Sequence, residues 1–353
     1  MKPFRLFRWR FTHCCGHATG SAEPAGTSRR EFLKTTAAGV AGMTALVSLR
    51  EPAAGEGRVF PPPPPAVSPI DGLIDFHVHS APDVFGRSVD DDEAVMLARD
   101  NSMEALVLKS HVALTADRAW LVRKHVPGIK VFGGVALNAA AGGVNPEAVQ
   151  WMWRMQGGLG RVVWFPTFDA DHHVKHFKDA PEGIKVLGAD GRVLPAVRDV
   201  LKICAQQKLV VCTGHASPDE ALAIAAAARE AGCDRILITH AEFEVVNLSA
   251  DEMKRAAALG ARMELCAMGP LMGPGAYLPW MRHWRQVTPK ETAGHIKAVG
   301  AEHFVLATDL GQTGNPSQPD GYKMFVGALM AEGITKDQIM LMGRETPGRL
   351  LMG

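Results

Sequence analysis

The chain has 353 residues, of which 47% are hydrophobic, and its formal net charge is only +1. This length suffices for one large domain with a substantial core, and the composition is that of a globular protein rather than a disordered one. Residues 1–34 contain seven Lys and Arg against two Glu, a net +5, so residues 35–353 carry −4. An acidic body argues against binding nucleic acid through a basic face.

Residues 1–54 have the pattern of a targeting segment. Residues 28–34 read SRREFLK and precede an apolar stretch rich in Ala and Gly, residues 35–49. This resembles a bacterial twin-arginine export signal, which implies passage through the twin-arginine translocase to the periplasm or the cell exterior. A basic amphipathic arm or a membrane anchor is the alternative. About fifteen apolar residues are too few for a membrane span, which needs roughly 20, so no stable span is expected in the mature protein.

A linker separates this segment from the folded body. Residues 55–69 contain five consecutive prolines, which is typical of a stiff polyproline spacer. The folded body is therefore predicted to span residues 70–353.

From residue 70 onward, short apolar runs alternate with amphipathic stretches. The apolar runs predict eight strands, at 72–78, 104–109, 129–136, 161–166, 208–213, 235–239, 261–266 and 303–308. The amphipathic stretches predict helices at 90–100, 115–125, 146–156, 195–207, 218–231, 250–259 and 289–299. Continuous apolar strands that alternate with helices indicate a parallel sheet covered by helices.

Eight such units in about 280 residues predict an α/β fold, a (β/α)8 barrel of the TIM type. An open doubly wound sheet is the alternative, but no glycine-rich phosphate loop follows the first strand. Residues 184–194 contain the pair Asp190-Gly191, which favours a tight turn between two strands. We therefore expect a β-hairpin inserted between strands four and five.

The first strand ends in two histidines, His77 and His79. Residues two apart in a strand point to the same side, so both imidazoles are expected to reach one ion. Neutral imidazole is the commonest metal ligand in proteins. A single H-x-H pair is weak evidence for a metal site. The polar residues at the ends of later strands strengthen it.

Four other strands also end in polar, chemically active residues. Reactive groups of such barrels lie at the carboxyl ends of the strands. The residues at these ends are Lys109 and His111 after strand two, His215 after strand five, His240 after strand six and Asp309 after strand eight.

Together these strand ends resemble the metal-dependent amidohydrolase superfamily over roughly residues 70–353. The resemblance implies a divalent metal, zinc being the expected ion, and its ligands would be His77, His79, His215, His240 and Asp309. Two-metal members carry a carboxylated Lys or a Glu after strand four, whereas strand four here ends without one. One ion is therefore favoured over two. The alternative is that Lys109 bridges two ions.

The chemistry of these groups predicts hydrolysis of a small molecule by metal-activated water. Asp309 would take the proton of the water, and His240 would stabilise charge or protonate the leaving group. Lys109 and His111 would bind the substrate through a carboxylate or phosphate. The expected substrates are an amide, a cyclic amide, a lactone or an ester, and phosphoesters need the same apparatus. A metal-dependent non-oxidative decarboxylase and a catalytically silent ligand-binding barrel are the alternatives.

Three further expectations concern residues outside this set. The histidines of the loop after strand four, His172, His173 and His176, are expected to be solvated. Glu264 in strand seven is a candidate to point into the barrel. Cys212 and Cys266 lie in apolar runs and are expected to be small core residues.

Overall fold

The structure is a computed structural model that describes residues 68–178 and 180–353. The predicted export signal and almost all of the predicted linker lie outside the described residues. Within the described part of the chain, no helix is both long enough and apolar enough to cross a membrane.

Eight parallel strands form one sheet in which each strand pairs with the next along the chain. The strands are β1 (Ile74–Val78), β2 (Ala105–Leu108), β3 (Lys130–Ala136), β4 (Gly160–Trp164), β5 (Val210–Cys212), β6 (Ile236–Ile238), β7 (Arg262–Cys266) and β8 (Phe304–Ala307). Nearly every strand residue is buried, as expected for a parallel sheet with both faces covered.

Backbone hydrogen bonds between the ends of β1 and β8 bring the sheet close to a closed barrel. The Asp309 N–H donates to the His77 carbonyl at 2.9 Å, and the His79 N–H donates to the Leu310 carbonyl at 2.9 Å. Asp75 of β1 also accepts from the Thr308 hydroxyl at 2.6 Å. The predicted (β/α)8 barrel is confirmed, and the open sheet is excluded.

Helices follow the strands and cover the outside of the barrel. Helices begin where the sequence offers an N-cap: Ser217, Ser249 and Thr288 each form a capping box with the Glu three residues later. The helices span Asp91–Asp100, Ala116–His125, Pro146–Arg154, Asp171–Val174, Pro195–Gln207, Pro218–Glu230, Ala250–Ala258, Pro289–Val299, Gln318–Ala331, Lys336–Met340 and Thr346–Met352.

The segment between β4 and β5 does not form the predicted pair of strands. A single antiparallel bridge joins Leu187 to Val193, and the Gly188 N–H donates to the Arg192 carbonyl at 2.8 Å. The Leu194 N–H also donates to the Val186 carbonyl at 2.9 Å, so the turn at Asp190-Gly191 forms, but the pairing extends no further than this one bridge. Val186 and Val193 are buried against the core, which favours packing on the barrel over extension as a ladder.

Candidate metal centre

The sequence-predicted site residues all lie at the carboxyl ends of the strands, on one rim of the barrel. His77 is the fourth residue of β1, and the others follow the strands directly or within three residues. Every one of these side chains is buried: His77, His79, Lys109, His111, His215, His240 and Asp309.

Asp309 is the centre of this cluster. One of its oxygens, Oδ1, lies 3.2 Å from His77 Nε2 and 3.1 Å from His79 Nε2. The other, Oδ2, lies 3.6 Å from His240 Nε2. Ligand atoms of His77, His79 and Asp309 all fall within 4.8 Å of one another. The structure thus brings four of the five predicted ligands together, and His215 lies outside this group of donors.

Two of the four residues are held in a left-handed backbone conformation. The φ angle is 49° at His240 and 54° at Asp309, and residues other than Gly adopt this region uncommonly. Gly311 lets the chain after Asp309 pass against β1, since a Cβ at Gly311 would lie 1.8 Å from the carbonyl oxygen of His79. The turn after β8 is thereby pressed against the H-x-H pair.

Burial keeps the histidines of the cluster neutral. It lowers the pKa of His77, His79, His111, His215 and His240 well below the usual value. Burial also raises the pKa of Asp309 to about 8, while the positive charge of Lys109 opposes the shift. Neutral imidazoles carry the lone pair that a metal ligand needs, and a divalent cation beside Asp309 would favour its ionised form.

Glu264 of β7 contacts two of the clustered histidines from below. Its Oε1 lies 3.1 Å from His77 Nδ1, and its Oε2 accepts from the backbone N–H of His240 at 3.1 Å. The expectation that Glu264 points into the barrel is correct. Cys266, two residues along the same strand, lies 3.4 Å from His240 Nδ1 and is buried, as is Cys212.

His173 corrects one of the expectations. His172 is half-buried and His176 is exposed, but His173 is buried and its Nδ1 lies 2.9 Å from His215 Nδ1. The helix Asp171–Val174 turns this side chain inward. Nothing in the spacing of the three histidines distinguishes His173 from its neighbours, so only the path of the loop reveals the contact.

His111 is held by two uncharged residues that the sequence analysis missed. The backbone N–H of Thr167 donates to Asn138 Oδ1 at 2.8 Å, which fixes the orientation of the amide. Asn138 Nδ2 then donates to Thr167 Oγ1 at 2.7 Å, and the same oxygen lies 2.9 Å from His111 Nδ1. Asn and Thr after a strand are ordinary turn residues, so their sequence positions carried no signal.

Two cations border the cluster. Lys109 Nζ is buried, has no hydrogen-bond partner among the described residues, and lies 5.6 Å from the centre of the Trp164 ring. Burial lowers the pKa of Lys109, while the negative charges of Asp309 and Glu264 oppose the shift. Arg87 is paired with Asp83 at 2.7 Å, and its Nη2 also lies 3.2 Å from His79 Nδ1.

Aromatic rings line the cluster. Phe168 stacks on His111 with 4.0 Å between ring centres, and Phe243 stacks on His240 at 4.6 Å. Phe85 meets Phe168 edge to face at 5.6 Å. Farther out, Trp284 lies 5.7 Å from His173. These rings surround the polar groups with apolar surface.

The residues present fit a divalent metal. The donors are neutral imidazole nitrogen and carboxylate oxygen, which suit Zn²⁺ and several other divalent ions. His77 Nε2 is buried and has no hydrogen-bond partner in the described part of the chain, although it faces Asp309 Oδ1 at 3.2 Å. A proton on Asp309, or a cation that both atoms bind, would satisfy this pair of atoms. His215 Nε2 is likewise buried without a partner.

Comparison with known proteins places the chain in a family. Residues 72–264, more than half of the sequence, match the family of unknown function DUF6282. The chain belongs to the DUF6282 family. No curated protein matches it.

Solved structures share the barrel of this DUF6282 protein. An amidohydrolase from Pseudomonas aeruginosa is 11% identical, with a TM-score of 0.54 over 81% of this chain and 97% of that chain. The organophosphorus hydrolase from Deinococcus radiodurans is 14% identical, with a TM-score of 0.52 over 81% and 94% of the two chains. At these identities the likeness establishes the fold.

Proposed function

We propose that this DUF6282 protein is a metal-dependent hydrolase of the amidohydrolase type. The observation that carries the proposal is the convergence of His77 Nε2 and His79 Nε2 on one oxygen of Asp309, at 3.2 and 3.1 Å. These three residues and His240 would hold one divalent ion, with zinc as the expected metal. His215 would complete the set if its ring moves toward the ion.

A metal held there would polarise the substrate oxygen and lower the pKa of a water molecule toward neutrality. Asp309 would accept the proton of the attacking water, since its Oδ1 is the oxygen that faces His77 and His79 and its Oδ2 is the other one. His240 Nε2 lies 3.6 Å from that oxygen; bound to the ion it carries no proton, so Asp309 itself would pass the proton to the leaving group. The leaving group would then be protonated from the same side.

His111 would present a hydrogen-bond donor to the substrate. Thr167 Oγ1 accepts from Asn138 and lies 2.9 Å from His111 Nδ1. When the hydroxyl donates to Nδ1, the imidazole proton is on Nε2. An N–H at this place can bind a carbonyl, carboxylate or phosphoryl oxygen of the substrate.

Charge balance supports one ion rather than two. The formal charges of the buried residues Asp75, Asp309, Glu264 and Lys109 sum to −2, because Arg87 is paired with Asp83. One divalent ion neutralises this sum. A second ion would raise it to +2 in a buried site, where uncompensated charge is costly. Lys109 would then bind an anionic group of the substrate.

The substrate proposed is a small molecule with an amide, cyclic amide, lactone or ester bond beside an apolar group. Phe85, Phe168 and Phe243 supply apolar surface next to the polar cluster. Among the structural neighbours are an amidohydrolase, an organophosphorus hydrolase and a variant engineered from a weak promiscuous lactonase template. Their names favour hydrolysis of these bonds, and phosphoesters belong on the same panel.

The experiment is a substrate panel with the zinc-loaded protein, run in water enriched in the heavy oxygen isotope. We expect turnover of at least one lactone, ester, amide or phosphoester, with one heavy oxygen in the product. Asp309→Asn should lower kcat by at least about a hundredfold. Release of carbon dioxide without incorporation of heavy oxygen would establish a decarboxylase instead. Metal binding without any turnover would establish a silent binding barrel.

We also propose that the protein is exported by the twin-arginine route and works in the periplasm or outside the cell. The support is the complete motif at residues 28–34 with its apolar flank. Because this route carries folded proteins, the metal would be bound before export. An Arg29→Lys/Arg30→Lys variant should stay in the cytoplasm, whereas equal fractionation of variant and wild type would contradict the proposal.

A further inference from the structure

Glu264 is a buried acid in an otherwise largely apolar strand, and no Lys or Arg forms an ion pair with it in the described residues. Its carboxylate contacts His77 and His240, two of the three histidines that face Asp309. Burial of a carboxylate is costly unless donors satisfy its oxygens. The donors present here are groups of His77 and His240, so the position of Glu264 is tied to these two residues.

The first oxygen determines the protonation of the His77 ring. Oε1 lies 3.1 Å from His77 Nδ1, and a carboxylate can only accept a hydrogen bond. Nδ1 therefore carries the proton. A neutral imidazole has one N–H, so His77 Nε2 keeps its lone pair, and this is the nitrogen that faces Asp309.

The second oxygen holds His240. Oε2 accepts from the backbone N–H of His240 at 3.1 Å and lies 3.3 Å from Nδ1 of the same residue. The N–H belongs to the residue with φ 49°, so this bond stabilises the left-handed turn that aims the imidazole at Asp309. A backbone N–H is always a donor, which fixes the role of Oε2.

We propose that Glu264 is the positioning residue of the metal centre: one carboxylate sets the tautomer of His77 and holds the backbone turn of His240. This inference rests on the proposed metal centre. Metal-bound histidines commonly donate their second N–H to a carboxylate, and loss of such a partner weakens metal binding about 10- to 100-fold. Here a single residue serves two ligands.

Glu264→Gln provides a sharp test because the amide has one acceptor and one donor. The His240 backbone N–H cannot become an acceptor, so the amide oxygen must remain on that side. The amide NH₂ then faces His77 Nδ1. We expect the His77 proton to move to Nε2, which removes the lone pair from the side of Asp309.

Glu242→Gln is the matched control. Glu242 is also buried and also bonds a histidine, His295 Nδ1 at 2.6 Å, together with the Thr292 hydroxyl at 2.8 Å. Neither partner belongs to the proposed centre. The control therefore replaces a buried glutamate that bonds a histidine without touching His77 or His240.

The experiment measures histidine tautomers in metal-free protein by long-range ¹H–¹⁵N NMR and then zinc affinity by competition with a chromophoric chelator. We expect an Nδ1 proton on His77 in the wild type and in Glu242→Gln, and an Nε2 proton in Glu264→Gln. Zinc affinity should fall about 10- to 100-fold in Glu264→Gln only. An unchanged tautomer or an unchanged affinity in folded Glu264→Gln would overturn the proposal.

The wild-type spectrum tests the proposal even if Glu264→Gln does not fold. A proton on His77 Nε2 in the wild type would overturn the proposal without any variant. If the wild type binds no zinc but the His77 proton still moves in Glu264→Gln, the metal centre is wrong and the control of the His77 tautomer by Glu264 stands. The two failures are therefore distinguishable.

Discussion

The Nδ1 atoms of His173 and His215 lie 2.9 Å apart in a buried contact. A hydrogen bond between two identical ring nitrogens needs one proton, so the two imidazoles have opposite tautomers. Burial lowers the pKa of His173 to about 3 and that of His215 well below its usual value, so both rings are neutral. If His215 donates, its Nε2 keeps a lone pair directed away from His173, as a metal ligand requires.

His173→Ala should therefore weaken the centre through His215. We expect zinc affinity or kcat/KM to fall about tenfold, the lower end of the range for a lost partner of a metal-bound histidine. His176→Ala, an exposed histidine of the same loop, is the control and should change neither. Equal values for the two variants would mean that His173 only fills space.

Arg87 is predicted to oppose metal binding. Its guanidinium can only donate, so the 3.2 Å contact with His79 Nδ1 favours the His79 tautomer with its proton on Nε2. A metal ligand needs the lone pair on that nitrogen, so Arg87 has to move away when an ion binds. We expect Arg87→Met to raise zinc affinity severalfold, measured by chelator competition. A weaker affinity in this variant would show that Arg87 supports the centre instead.

His295 provides a pH-dependent contribution to stability outside the centre. The hydrogen bond to Glu242 raises the pKa of His295 above its usual value. The folded state therefore binds the proton more tightly than the unfolded state. The resulting stabilisation is complete below about pH 6.5 and is lost as the pH rises through the raised pKa. We expect His295→Gln to cost up to about 1 kcal/mol at pH 5.5, because the ring is partly exposed. The difference from wild type should shrink above pH 7, as measured by urea unfolding.

Gly311 should tolerate no side chain. Its φ is 129°, and a Cβ would lie 1.8 Å from the carbonyl oxygen of His79. Gly311→Ala should lower the free energy of unfolding by about 1–3 kcal/mol and reduce metal affinity, because the turn after Asp309 must shift. Gly327→Ala is the control. Gly327 lies in the helix Gln318–Ala331 with open space where a Cβ would be. The free energy of unfolding of this variant should therefore rise by about 0.5–1 kcal/mol.

The periodicity of the sequence predicted the barrel well, for a physical reason. Short, continuous apolar runs such as Val210–Cys212 are buried on both faces of the sheet. Ser217, Ser249 and Thr288 begin helices through hydrogen bonds with the Glu three residues later, and both residues of each pair can be read in the sequence. The predicted hairpin at 184–194 is present only as a turn with one antiparallel bridge, and Val186 and Val193 beside it pack on the core. Local sequence patterns predict the structure well where local interactions determine the conformation of the chain.

The site residues that could be predicted are those at the carboxyl ends of strands, where the barrel fixes their position. His77, His79, His240 and Asp309 follow strands whose ends meet at one rim. Glu264 was visible as an acid in an apolar strand, although its partners were not. His173, Asn138 and Thr167 depend on the paths of loops, which have no repeat in the sequence.

The most direct test of the account is an anomalous difference map of the zinc-soaked protein, recorded on both sides of the zinc absorption edge. We predict a single peak per chain within about 2.0–2.2 Å of His77 Nε2, His79 Nε2 and an oxygen of Asp309. Two peaks bridged by Lys109 would contradict the single ion. The absence of any peak between these three residues would contradict the metal centre itself.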